Sequence, residues 1–271
     1  MSFRRLAFSL IIAWSCLGAA VVDPRLVEAV KRKDPAALRA LIQQGADVNA
    51  TSADGATALH WAAELDDLES AVILIAKGAN ANAANVHGAT PLFLACTNGS
   101  AAMVDLLLKA GADPNSVSPE GETALMTAAR SGKKEALKLL LARGAEVNRK
   151  ENWRGQTALM WAAAEGHAQI VALLIEFGAD FRMRSNGGFS PLLFAIREGR
   201  MEVVRGLLKS GADANESLPA RTQRPPGAST TEPSKVRAGS SALHLAVANA
   251  HFELASLLLD AGANPNADGP G

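Results

Sequence analysis

The residues of this chain that could do chemistry are few, and one stretch gathers three of them. Residues 156–180 read QTALMWAAAEGHAQIVALLIEFGAD, with the pair Met160–Trp161 followed by His167. A thioether, an indole and an imidazole within one helical stretch would suit a soft metal ligand beside an aromatic wall. The other candidates are His60, His87, His244 and His251, and the cysteines Cys16 and Cys96. No H-E-x-x-H, C-x-x-C or C-x-x-C-H occurs, so the zinc and covalent-haem signatures are missing. No G-x-S-x-G, phosphate-binding loop or dinucleotide fingerprint occurs either. Carboxylates are scattered, and nothing in the spacing pairs two of them for acid–base work. The sequence therefore predicts no enzyme, no cofactor and no metal site.

The elements that would position these residues follow from self-similarity. Gly-Ala recurs at Gly45, Gly78, Gly111, Gly144, Gly178, Gly211 and Gly262, with gaps of 33, 33, 33, 34, 33 and 51. Thr57, Thr90, Thr123, Thr157, Ser190 and Ser241 each precede a leucine by two residues and share that period and its one interruption. A fixed period of this length marks a stacked repeat. Each unit reads as helix–turn–helix. The Thr or Ser suits a helix N-cap, and Pro91 and Pro191 suit the first helical position. An alanine-rich helix follows, a Gly or polar residue breaks it, and a leucine-rich helix ends at the glycine of Gly-Ala. Asp47-Val48-Asn49 and its equivalents suit the turn beyond.

These units resemble the ankyrin repeat, whose pattern is roughly D-x-x-G-x-T-P-L-H-x-A-A-x-x-G-H-x-x-V-V-x-L-L-L-x-x-G-A-D-V-N. Residues 54–83, DGATALHWAAELDDLESAVILIAKGANANA, follow it closely, as do 85–115, 121–148, 155–180 and 187–215. The resemblance implies an all-α solenoid of about seven helix–turn–helix units with β-hairpin-like turns, short inner helices and hairpin tips forming a concave face. It assigns four histidines to structural bonds: His60 and His244 in the turn, His167 and His251 between repeats. Met126, Met160, Phe93 and Leu193 depart from the turn histidine, and apolar packing is expected there. Trp161 is expected in the core, and Cys96, at an alanine position, as a small buried hydrophobe.

The organisation expected is a signal peptide at 1–20, an N-terminal capping repeat at 21–50, repeats at 51–216, a disordered insertion at 217–238, and a last repeat at 239–271. Arg4 and Arg5, the uncharged run 6–22 and the small Gly18 and Ala20 have the layout of a secretory signal, which predicts an exported, periplasmic or secreted protein. The alternative is membrane anchoring through residues 6–22. Asp23-Pro24 reads as an N-cap with a first-turn proline, opening a charged capping helix. The insertion, rich in Pro, Ser and Thr, cannot bury a core. The last leucine-rich helix is expected to be covered on one side only, so that it frays, unless the chain is part of a longer one or another element covers it. Asn49, Asn98 and Asn215 begin glycosylation sequons.

Lys and Arg together number 27 and Asp and Glu 27, so net charge argues against nucleic acid or an acidic membrane as partner. The resemblance implies instead a protein partner bound by a monomer without membrane insertion of the mature chain. Its contact positions carry over onto the tips (His87, Glu120, Trp153, Arg154), the residue before the cap (Glu122, Gln156, Phe189) and the end of the inner helix (Arg130, Glu165, Arg197). Trp153, Arg154 and Phe189 are the expected anchors, since aromatics and arginine dominate interface energies, and Trp153, Arg154 and Gln156 are expected to be free of packing. An adaptor role within a longer protein and a secreted effector acting on host proteins are the competing readings.

Overall fold

The computed structural model describes residues 24–219 and 239–267. The expected signal peptide, and residues 220–238 of the expected insertion, lie outside them. Among the described residues, fourteen helices form seven antiparallel pairs: α1 (Arg25–Lys31) with α2 (Pro35–Gln43), α3 (Ala58–Glu64) with α4 (Leu68–Ala76), α5 (Pro91–Asn98) with α6 (Ala101–Lys109), and α7 (Ala124–Arg130) with α8 (Lys134–Ala142). They continue as α9 (Ala158–Glu165) with α10 (Ala168–Glu176), α11 (Pro191–Arg197) with α12 (Met201–Lys209), and α13 (Ala242–Ala248) with α14 (Phe252–Asp260). Each odd-numbered helix packs on the next odd-numbered one and each even-numbered helix on the next even-numbered one, giving two parallel layers. Among the described residues, β-structure is limited to isolated bridges closing hairpins, such as Thr51–Thr57 and Val117–Thr123. The all-α repeat expectation holds.

The caps explain where each inner helix begins. Thr90, Thr123, Thr157, Ser190 and Ser241 accept through their hydroxyls from the backbone N–H three residues on. Pro91 and Pro191 follow their caps, where no helical N–H is needed. α1 differs: Pro24 stands at its cap with no side-chain bond, and Asp23 lies outside the described residues. Small side chains let the inner helices approach closely; Ala58, Ala62, Ala63, Ala128, Ala129, Ala162 and Ala163 are all buried. Cys96 lies among them, and burial pushes its thiol up to about 12, so it is a packing residue and no nucleophile.

Consecutive repeats are also bonded to each other. His167 bonds through Nε2 to the Arg130 carbonyl at 3.0 Å, Arg200 Nε donates to the Ala164 carbonyl at 2.8 Å, and His251 Nε2 reaches the Arg197 carbonyl at 3.2 Å. Each ties the start of one outer helix to the end of the previous inner helix. Gly132 and Gly166 leave the room: a Cβ on either would sit 2.9 Å from His167 or Arg200, and both have left-handed φ. His60 takes the expected turn role, with Nδ1 accepting from Thr57 N–H at 3.0 Å and Nε2 on the Ala89 carbonyl at 3.0 Å. His244 departs from it. The ring is exposed and has no hydrogen-bond partner among the described residues, whereas His60 reaches a carbonyl of the following repeat. On the same face Val247 is 51 % exposed, where the equivalent Ile196 is fully buried.

The hairpins between repeats stack edge to edge, and asparagines bridge their bases. Asn49, Asn82, Asn115, Asn148 and Asn215 each donate to the glycine carbonyl of the next hairpin and accept a backbone N–H two residues beyond it. The sequence showed these residues only as turn formers. Arg182 interrupts the series. The expected insertion also starts later than Ser217: Leu218 is buried, and its backbone pairs with Ser240 and Gly239.

Candidate protein-binding face

The hairpin 144–157 holds the one 34-residue spacing in the first six units, and the structure places the extra residue at its tip. Neighbouring hairpins close with a short side chain bonding four residues ahead, Ser118 to the N–H of Glu122 and Ser185 to that of Phe189. Here Glu151 does this over five residues. Its carboxylate, 7 % exposed with the rest of the residue, accepts from the N–H groups of Trp153 (2.6 Å), Arg154 (2.8 Å) and Gln156 (2.8 Å). A carboxylate has lone pairs enough for all three. The lengthened tip is thus pinned from inside while its side chains point out. Trp153 is 70 % exposed, and the Arg154 guanidinium lies 4.4 Å from its ring centroid. The next hairpin holds the tip from the other side: Asn186 donates its backbone N–H to the Arg154 carbonyl at 2.8 Å and its amide to the Trp153 carbonyl at 3.1 Å.

Beside this tip, a groove of about 260 Å³ opens between α9 and α11, lined by Arg154, Gln156, Met160, Trp161, Glu165, Phe194, Arg197, Glu198 and neighbours. Arg197 stacks on both Phe189 (4.9 Å) and Phe194 (5.0 Å), whose rings are 5.3 Å apart, and its Nε is 2.8 Å from Glu198. Further along the inner layer, Arg130 covers the face of Trp161 at 4.9 Å and pairs with Glu122 at 2.9 Å, which also accepts from the Thr127 hydroxyl. The face alternates arginines and aromatic rings, an arrangement suited to binding a surface and not to moving protons.

Of the ten expected contact residues, Trp153 and Arg154 share the tip, and Arg154, Gln156, Glu165 and Arg197 meet at the groove. Arg130 and Glu122 form a pair one repeat earlier. His87 and Glu120 are exposed on two earlier tips and do not reach the groove. Three expectations need correction. Gln156 is only 8 % exposed, as the equivalent Ala56 is buried, and is not free of packing. Phe189 packs on Phe194 and on the edge of the core instead of standing free. Trp161 is only half-buried, packed on the edge of the core at the groove with Arg130 on its ring. Glu151 was missed, although the single longer spacing marks the hairpin that needs it. The three sequon asparagines already use their amides within the fold, Asn98 on the Ala63 and Glu64 carbonyls.

Among the described residues no group of three His, Cys, Asp or Glu side chains could hold a metal ion, and no helix is long and apolar enough to cross a membrane. Met160 and His167, which opened the chemical reading, have separate tasks, one lining the groove and the other bonding to α7.

Comparison with known proteins agrees with this architecture. A family model described as ankyrin repeats in three copies matches residues 26–118 and 125–217, one for many copies matches 99–141, and a single-repeat model matches 238–269. No curated protein matches the chain. The crystal structure of the human ASB11 ankyrin repeat domain is similar, with a TM-score of 0.72 and 29 % identity over 89 % of this chain and 98 % of that one. With family matches over most of its length and the two-layered stack they imply, the chain belongs to the ankyrin repeat family.

Proposed function

We propose that the chain is a non-catalytic, exported protein-binding module whose partner is recognised by the concave side and hairpin tips of its fourth to sixth repeats. Ankyrin repeats are typically protein–protein interaction modules, and solenoids use such extended faces for binding. The observation that carries the reading is Trp153, a large exposed indole on a tip whose backbone Glu151 and Asn186 hold in place. A preordered aromatic beside an arginine loses little freedom on binding, which is what makes such residues anchors. Export rests on the basic start and uncharged run of the first twenty residues; fractionation with N-terminal sequencing of the mature protein tests it.

A photo-crosslinking residue at position 153 is expected to capture a partner identifiable by mass spectrometry from the compartment that holds the protein. The same residue at position 205, on the outer helix α12, serves as control. Equal capture at both positions would overturn the reading.

A further inference from the structure

We propose that the partner segment seated on hairpins 144–157 and 178–190 is acidic. This rests on the binding reading above and names the chemistry of the partner. The chain is neutral overall, but its hairpin edge is not. The tips of the earlier hairpins carry Asp54, His87, Glu120 and Glu122. The next two carry Arg149, Lys150, Arg154, Arg182 and Arg184 against Glu146, Glu151 and Asp180. Glu151 is spent on three backbone N–H groups, and Asp180 accepts from the N–H of Arg182. Two cations are neutralised, Arg149 by Glu146 at 3.3 Å and Arg184 by Glu216 at 3.3 Å. Lys150, Arg154 and Arg182 are exposed with no carboxylate partner among the described residues.

These three cations belong to adjacent chain segments. Asp180 N–H donates to Asn148, Lys150 Nζ to the Arg184 carbonyl, and Asn186 N–H to the Arg154 carbonyl, so the two hairpins run side by side. Arg154 and Arg182 each lie against a ring, Trp153 and Phe181, which orients the planar guanidinium and leaves its N–H fork for a carboxylate. Lys150, with one bond to a carbonyl, keeps two donors. An acidic polypeptide with an apolar residue for Trp153 satisfies both features. A nucleic acid fits less well: the cations cover only two hairpins, and Glu120, Glu122, Glu165 and Glu198 flank them where a continuous phosphate backbone would run.

The test titrates the full chain with a short fluorescein-labelled peptide of Glu and Asp around one Leu. A matched peptide with Lys for each acid and a single-stranded oligothymidylate complete the set. Anisotropy is expected to report binding of the acidic peptide that weakens with salt, and that falls about tenfold or more in Arg154→Ala/Arg182→Ala. The glutamine pair Arg154→Gln/Arg182→Gln should behave alike, and Arg205→Ala should bind as wild type. Unchanged binding in both double variants, equal binding of the lysine peptide, or tighter binding of the oligothymidylate would overturn the proposal. If the acidic peptide fails while position 153 still crosslinks to a partner, the acidic chemistry is wrong and the binding face stands. If both fail, the face itself is wrong.

Discussion

Two neighbouring joints of the stack are held by different chemistry. Hairpins 144–157 and 178–190 are joined along their whole edge by bonds that use no carboxylate: Asn148 at the base, the Lys150 ammonium on a carbonyl midway, and Asn186 twice at the tip. The next joint, from 178–190 to the hairpin that begins at Gly211, lacks both ends of this ladder. Arg182 stands where an asparagine would bridge the base, and Pro219, with no N–H, stands where the tip donor would be. In their place a side-chain cluster spans the gap. Arg184 donates to the Ser217 carbonyl at 3.1 Å and pairs with Glu216, and the Ser190 hydroxyl, which caps α11, donates to the same carboxylate. Burial holds the Glu216 carboxyl above its ordinary range, against the opposing pull of Ser190 and Arg184. One joint thus rests on amides, carbonyls and an ammonium, and the other on a buried carboxylate. The first supports the exposed Trp153 tip, which needs a fixed backbone to present its side chains.

The sharpest effect is expected from Glu151→Ala, which unpins the tip that the first joint supports. It strands the N–H groups of Trp153, Arg154 and Gln156, and a loss of about 3 kcal/mol in unfolding free energy is expected by urea titration. A loss below about 0.5 kcal/mol would mean that the tip is held by its neighbours alone. Glu216→Ala breaks the second joint. About 2 kcal/mol is expected, since Arg184 is partly exposed and recovers some hydration. In a quasi-one-dimensional stack the damage stays local. Hydrogen exchange should therefore rise in α13 and α14 and remain unchanged in α3 to α7, and a uniform rise would contradict this picture.

Asn148→Ala, which deletes one base bridge, is expected to cost about 1–2 kcal/mol. The converse change, Arg182→Asn, restores the missing bridge and is expected to raise the melting temperature, by about 0.5–1 kcal/mol in stability. A decrease would show that Arg182 carries packing that the asparagine cannot replace. The smallest effect is that of pH. A carboxyl whose folded value lies above its unfolded value contributes stability that is complete below the unfolded value and is lost as pH rises through the folded one. Protection of α13 and α14 should therefore fall as pH rises through the Glu216 value, which lies above 4.5. Protection of α9 should not share that step, and Glu216→Gln should remove it.

The parts of this fold that the chain announces are those decided within one repeat. A threonine before A-L caps its own helix, a Gly-Ala ends the next, and the 33-residue period follows from counting. Histidine roles were legible where the partner lies in an adjacent repeat, the following one for His60 and the preceding one for His167 and His251; His244 has no such partner among the described residues. The binding face was half legible. Trp153 and Arg154 stand out because no repeat position explains them. Gln156, Phe189 and Trp161 were misplaced because a repeat pattern says where a side chain starts and not how deeply the neighbouring hairpin and helix pack it.

By itself, then, the sequence determined the helix pairs, their caps, their apolar faces and the number of repeats, all set by interactions a few residues apart. The tertiary structure alone decided which groups about 33 residues apart in the chain bond across a joint. It showed asparagines to be bridges and Glu151 to be the pin of a lengthened tip. It also separated a neutral composition into an acidic and a basic stretch of one edge, because stacking brings together in space charges that a sum over the chain cancels.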